Sequence, residues 1–435
     1  MQGRLKQAAR FIPAALMLAL LAGGAWLVRN SDSRPALTWM FIYEPTDFLG
    51  ASARDILAFF KNLMIPIPPL VGLAEILSVK LVGSALLVTR YGYRLALVGS
   101  FAAALWLANT SLRRALAAFG VSGLFLFVTT LVHPGNPQNY DFFFALAFLL
   151  FLIALRRASR TDGWLMPVLA GFLLSMTELT RPFVIFLLPL LLAGAFAMLW
   201  QPGQTRRFLL FLIPVLIISG GWHAYLAAAH GQLTFSNNSA FNVARAWPQI
   251  PAPPLIPEPG YVPLAESKWV GVDVPQPRWG NLNTPEHTEN NRRMQRAELA
   301  YWVAHPVDSA LFAVDRMATF LSGATAYNKF TPVSRWFGLY AIVERTVSGL
   351  AILGASLVLF SALFHPRQLL SILAQPDNLT LLFLAACIII LAVGEMDEEP
   401  RLLLSVLPLL ATLPVWRLPR LDPAAADPAF TNTGW

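Results

Sequence analysis

Long apolar blocks separated by short polar turns run through most of this chain. The first extends from Phe11 to Val28 behind Arg4, Lys6 and Arg10. Others run roughly from Leu95 to Leu112, Ala115 to Val132, Tyr140 to Leu155, Trp164 to Thr180, Pro182 to Trp200 and Phe208 to Ala227. The last three cover Leu339 to Phe364, Leu379 to Val393 and Leu402 to Trp416. Blocks of this length with few charges predict helices that cross a bilayer. The turns between them alternate in charge: Arg113-Arg114, then neutral His133 to Asn139, then Arg156-Arg157 with Arg160, and later Arg206-Arg207. Such alternation follows the rule that basic loops stay in the cytoplasm, and it places both termini there. The expected fold class is an all-α polytopic membrane protein with about ten transmembrane helices. The first block also has the length and charge of a signal peptide, with Ala22-Gly23-Gly24-Ala25 near its end. Retaining it as the first helix lets the later blocks alternate correctly.

The polar stretches add interfacial helices on the outer face. Residues 30–94 form a first outer loop and residues 228–338 a long second one, within a single membrane-embedded domain spanning 1–435. In the first loop Ile56, Phe59, Phe60 and Leu63 recur at helical spacing beside Arg54, Asp55, Lys61 and Asn62. That period predicts a helix lying in the membrane surface. A second follows Pro68-Pro69, from Leu70 to Val82, where Glu75 and Lys80 suit an interface better than lipid. In the long loop Trp302, Val303, Leu311, Val314, Met317 and Phe320 predict one more interfacial helix between Leu299 and Leu321, with Pro306 near its start.

Composition agrees with a bilayer as the solvent. Hydrophobic residues make up 56% of the chain and charged ones 13%, and the mean hydropathy is +0.56, beyond what a water-soluble domain of this length carries. The net charge of +8 is distributed in short clusters between apolar blocks, with no basic face or aromatic-basic module, so nucleic acid is excluded as a partner. One cysteine, Cys387, rules out an intrachain disulfide and a cysteine-based zinc site. Nucleotide-binding glycine loops and HExxH are absent.

Candidate chemistry therefore rests on acids and arginines at the block ends. Glu44 and Asp47 stand three residues apart in Tyr43-Glu44-Pro45-Thr46-Asp47-Phe48-Leu49, just beyond the first block. Carboxylates beside a lipid-embedded segment are expensive unless they meet water, a partner charge or a substrate; equally, they are ordinary loop acids near a helix start. Asp141 opens a block after Asn136-Pro137-Gln138-Asn139-Tyr140, where helix capping competes with substrate binding. Glu178 and Arg181 fall three apart on one helical face, where they can form an ion pair that holds two helices together, or Arg181 can instead present its cation to a phosphate near the outer surface. Glu395, Asp397, Glu398, Glu399 and Arg401 cluster at the entrance of the last block, as a solvated turn or the lining of a polar substrate site.

The order of these parts resembles the C-type integral-membrane glycosyltransferases, the superfamily of protein mannosyltransferases, aminoarabinose transferases and bacterial lipopolysaccharide sugar transferases. Glu44-Pro45-Thr46-Asp47-Phe48-Leu49 is similar to the family's acidic motif after the first span. Pro68-Pro69-Leu70 and Lys80-Leu81-Val82-Gly83 resemble its proline run and the Lys-Leu-Phe-Gly end. Thr180-Arg181-Pro182, His305-Pro306 and Glu399-Pro400-Arg401 through Pro408 resemble its later segments. The likeness spans nearly the whole chain through short motifs. Ile67 and Pro68 stand where the family commonly carries a basic residue.

The resemblance implies transfer of a sugar from a polyprenyl-phosphate donor to an envelope lipid, glycan or protein at the outer face of an inner (plasma) membrane, with inversion. It implies Asp47 or Glu44 as the catalytic base. Substrate contacts fall to Asp141, Arg54, Lys61, Lys80, Arg181, Glu395, Glu399 and Arg401. No organic cofactor is expected; the acids suffice to hold a divalent metal, although no spacing demands one. The alternatives are a transporter or flippase of a lipid-linked sugar and a non-catalytic scaffold of envelope assembly.

Overall fold

A computed structural model describes residues 2–30, 52, 69–83, 87–108, 112–127, 141–181, 183–200, 205–231, 239–257, 285–322, 335–364, 372–394 and 407–412. These residues are overwhelmingly helical, and no strand occurs among them. In chain order the helices are α1 (Gln2–Asn30), α2 (Pro69–Val82), α3 (Tyr93–Ala108), α4 (Leu112–Phe127), α5 (Asp141–Ala158), α6 (Leu165–Thr180) and α7 (Val184–Leu199). There follow α8 (Thr205–Val215), α9 (Gly221–His230), α10 (Ser239–Ala246), α11 (Pro285–Ala304), α12 (Pro306–Ser322), α13 (Arg335–Phe364) and α14 (Pro376–Gly394). Wider π turns at Leu87–Gly92 and Leu216–Gly220 lead into α3 and join α8 to α9.

Two stretches, Thr205–Ala228 with mean hydropathy 1.8 and Arg345–Phe364 with 2.2, are long and apolar enough to cross a membrane. Shorter apolar stretches, among them Tyr93–Ala108, Leu165–Thr180 and Val184–Leu199, stand beside them. The two long stretches turn much of their surface outward, exposing Leu209, Ile213, Leu216 and Ile217 on one and Leu353, Leu359, Phe360 and Leu363 on the other.

The centre of the bundle is aromatic. Phe142, Phe144, Phe148 and Phe151 of α5 are completely buried. Phe148 stacks on Phe383 of α14 at 3.7 Å between ring centroids, and Phe144 meets Phe183 edge-on at 5.5 Å. Elsewhere close packing depends on the absence of a side chain. A Cβ on Gly171 of α6 would run into the backbone carbonyl of Phe211, so only glycine permits the approach of α6 to α8.

Side-chain pairing defines the two ends of the bundle. At one end Arg114 of α4 meets Asp377 of α14 at 3.4 Å. There too Arg157 lies 5.9 Å from the ring of Trp106 at the end of α3, and Arg207 of α8 pairs with Asp162, between α5 and α6. This gathers the basic turns of the sequence at a single end. The other end collects the starts of α3 and α5, where Tyr93 packs edge-on against Phe143 at 5.1 Å, together with the end of α6 and the start of α7. Above it α10, α11 and α12 form a cap. The Trp247 indole donates to the Val393 carbonyl at 3.0 Å, which fixes the end of α14 beneath that cap.

The single helix expected from Leu299 to Leu321 is two. Pro306 has no N–H and disfavours helical geometry at His305, so α11 stops at Ala304 and α12 restarts at Pro306. The cap is also more ordered than an irregular loop. Asn290 bonds both backbone groups of Ile256, at 2.7 and 2.9 Å, and Asn291 accepts from the Ala240 N–H at 3.1 Å. These side chains satisfy backbone groups that no ladder reaches.

Candidate functional site

The polar site among the described residues lies where α6 ends against α9. In α6, Ser175, Thr177, Glu178 and Thr180 are all buried, although the helix is otherwise apolar. All three hydroxyls return to backbone carbonyls of their own helix: Ser175 to Gly171 at 3.2 Å, Thr177 to Leu173 at 2.8 Å and Thr180 to Thr177 at 2.7 Å. A serine or threonine inside a helix hides its polarity in this way at little cost. Ser175 also reaches the Pro214 carbonyl across the seam to α8 at 3.4 Å.

Glu178 has no such local solution. It is 0% exposed, and its Oε1 is 2.6 Å from His223 Nε2 on α9. The expected ion pair with Arg181 is replaced by this bond, for a geometric reason. The helix ends at Thr180, and Arg181 is extended, with φ −146° and ψ 117°, so the i,i+3 face that would align the two is lost. Arg181 remains buried at 8% exposure beside the site. The second carboxylate oxygen, Oε2, has no hydrogen-bond partner among the described residues.

The opposing wall comes from the π turn and α9. Pro214 deprives the helix of one donor, and two residues later the chain is wound in the wider turn, where the Gly221 N–H bonds the Leu216 carbonyl. Ser219 is the buried residue of this turn. Trp222 and Tyr225 flank His223, with ring centroids 5.7 Å apart.

Of the residues singled out by sequence, Glu178 and Arg181 lie at this site. Asp141 is the first residue of α5, at the same end of the bundle. Lys80 lies in the last turn of α2, a helix that packs against α6. Glu44, Asp47, Arg54, Lys61, Glu395, Glu399 and Arg401 lie outside the described residues. The backbone leading to Glu395 is nevertheless fixed up to Gly394, under the cap. Sequence reasoning missed His223 and Ser219. The available signal was a histidine within the apolar block Phe208–Ala227, the kind of residue that rarely faces lipid.

The cap carries a second buried acid. His287, Asn290, Asn291, Met294 and Glu298 form the inward face of α11. Glu298 is 4% exposed, and burial pushes its carboxyl up to about 8. Beside it Trp302 joins Trp247 and Phe312 in an aromatic cluster, with Trp247 centroids 5.6 and 4.7 Å from the two rings. No group of three His, Cys, Asp or Glu side chains gathers in metal-binding geometry among the described residues.

Comparison with family models, characterised proteins and solved structures finds no match to this chain.

Proposed function

We propose that the chain is a multi-pass glycosyltransferase of the inner (plasma) membrane, with about ten spans and its reaction centre facing the periplasm or exterior. It transfers a sugar from a polyprenyl phosphate to an envelope lipid, glycan or protein. The observation that carries this reading is the division of the bundle. The arginine turns collect at one end, whereas Arg181, the Glu178–His223 pair and the start of α5 meet at the other, beneath the helical cap. Basic loops hold their end in the cytoplasm, so the polar end is the outer one.

The reaction needs three things from the protein. A carboxylate, Asp47 or Glu44, takes the proton from the acceptor hydroxyl as its oxygen attacks the anomeric carbon, a role worth about 10² to 10⁴ in rate. The carbon–oxygen bond to phosphate breaks on the opposite face, which inverts the centre and releases polyprenyl phosphate. Arginines such as Arg181, with Arg54, Lys61, Lys80 and Arg401, then stabilise the charge on the departing phosphate. Asp141, Glu395 and Glu399 take sugar hydroxyls.

The cap supports an interfacial arrangement. Leu299, Val303, Val307, Leu311 and Val314 recur at intervals of four and three across α11 and α12, all largely exposed, and this stripe suits the outer leaflet. A lipid tail then reaches the site from the side while its sugar phosphate stays at the surface.

Asp47→Asn is expected to abolish turnover while folding and donor binding persist. Full activity in both Asp47→Asn and Glu44→Gln contradicts the proposed base. One observation favours a second reading, transport of a lipid-linked sugar: the buried Glu178–His223 pair lies beside a π turn in an apolar stretch. Movement of a labelled lipid-linked sugar between leaflets without transfer selects that reading.

A further inference from the structure

At the basic end of the bundle several arginines gather around one carboxylate. Arg114, near the start of α4, meets Asp377 of α14 at 3.4 Å. Arg156 and Arg157 stand in the last turn of α5, and Arg160 follows in a turn tied back to them. The Arg160 and Thr161 N–H groups bond the Arg157 carbonyl at 3.0 and 3.1 Å, and the Ser159 hydroxyl bonds the Arg156 carbonyl at 2.9 Å. The charges converge on Arg156, which is half-buried. Burial lowers its guanidinium from the ordinary value, Arg160 and Arg114 lower it further, and Asp377 opposes them. Three guanidiniums thus act on one another with one carboxylate among them, an arrangement that favours a further anion.

The surface beside this cluster is apolar. On α5 Leu150 is exposed and precedes Arg157 by seven residues, so the two stand on one face of the helix. Arg157 lies 5.9 Å from the ring of Trp106, itself exposed near the end of α3. Trp164, before α6, and Trp200, after α7, are exposed at the same end. Tryptophans at helix ends collect at the headgroup level of a bilayer. An apolar strip therefore leads up to the arginines, in the order in which a phospholipid presents its chain and its phosphate.

We propose that Arg114, Arg156 and Arg160 form a site for the phosphate of an anionic phospholipid, whose acyl chain lies along Trp106 and Leu150. Charge selects the headgroup. Against the single carboxylate of Asp377 the three guanidiniums leave an excess of positive charge, which attracts a phosphodiester and repels the amine of a zwitterionic headgroup. Arginine forks suit phosphate oxygens, which they engage through paired N–H donors. Basic pockets between helices at the cytoplasmic face take anionic headgroups for this reason. The site uses none of the residues given to sugar transfer, so failure of that reading leaves it standing.

The test uses the full chain in phosphatidylcholine nanodiscs with a rising fraction of phosphatidylglycerol, at constant ionic strength. Thermal unfolding is followed, and tryptophan quenching by brominated acyl chains is measured in parallel. A saturable rise in melting temperature with phosphatidylglycerol is expected, with its apparent affinity weakened several-fold in Arg160→Gln. Arg206→Gln removes the same charge from an exposed arginine at the same end, at the start of α8, and should leave that affinity unchanged. Brominated phosphatidylglycerol should quench more than brominated phosphatidylcholine, and Trp106→Phe should remove most of the excess. Equal weakening in Arg160→Gln and Arg206→Gln overturns the site and leaves diffuse surface charge. The same rise with inorganic phosphate in phosphatidylcholine alone overturns the lipid in favour of a free anion. If Arg160→Gln fails to fold, quenching still decides, since equal quenching by the two brominated lipids contradicts the proposal.

Discussion

Glu298 shows how far burial alone can move a side chain's chemistry. Its carboxyl ordinarily titrates near 4.5 and in the cap is raised to about 8 by desolvation. Between those values the folded chain holds a proton that the unfolded chain releases. Stability therefore falls as pH rises through that window. Glu298→Gln should flatten the slope and stabilise the protein at pH 7 by on the order of 1 to 3 kcal/mol, read from thermal unfolding at pH 5, 6, 7 and 8. An unaltered slope would show that another group sets it. Glu178 is the contrasting residue, since it is buried with a histidine opposite. Its presence in a polar patch was legible from Ser175, Thr177, Glu178 and Thr180 in an apolar block. Its partner was not, because His223 lies 45 residues away and only the pairing of two helices brings it near. Arg181 was the nearer cation in sequence, but the end of α6 at Thr180 turns it out of register.

At the scale of elements, periodicity recovered the helices and misplaced their ends. The blocks read from Trp164 to Thr180 and from Phe208 to Ala227 became α6 and the α8–α9 rod, because apolar runs of that length have few alternatives. The π turn within the rod left no trace in hydropathy, since Leu216, Ile217 and Ile218 are as apolar as their neighbours. The break at Pro306 was readable in principle, but the apolar period continues across it through Val303, Val307 and Leu311, so one helix was expected where two exist. Glycines gave no warning of their roles. Gly171 admits the Phe211 carbonyl, whereas Gly123 in α4 has open space around its Cβ position. Gly171→Ala should therefore destabilise the bundle by about 1 to 3 kcal/mol, and Gly123→Ala should be neutral or stabilising by about 0.5 to 1 kcal/mol. Melting temperatures of the two variants in the same lipid decide this; equal shifts would mean that α6 and α8 can separate without cost.

For the whole molecule, the charge pattern of the turns was the most informative feature of the sequence, and the structure joins those turns through Arg114–Asp377 and Arg207–Asp162. The acids proposed for catalysis, Glu44 and Asp47, lie outside the described residues. The proposed orientation puts Thr161 on the cytoplasmic side and Asp308 outside. In a Cys387→Ala background, Asp308→Cys should react with an impermeant thiol reagent in intact cells, and Thr161→Cys only after permeabilisation. Reaction of both from one side would contradict the arrangement. Sugar transfer by the purified protein in lipid tests the proposed chemistry. A panel of radiolabelled polyprenyl-phosphate sugars should include one whose sugar is released or transferred, with turnover lost in Asp47→Asn. Intact donor binding with no turnover from any donor would contradict a transferase and leave transport or a scaffold role as the reading.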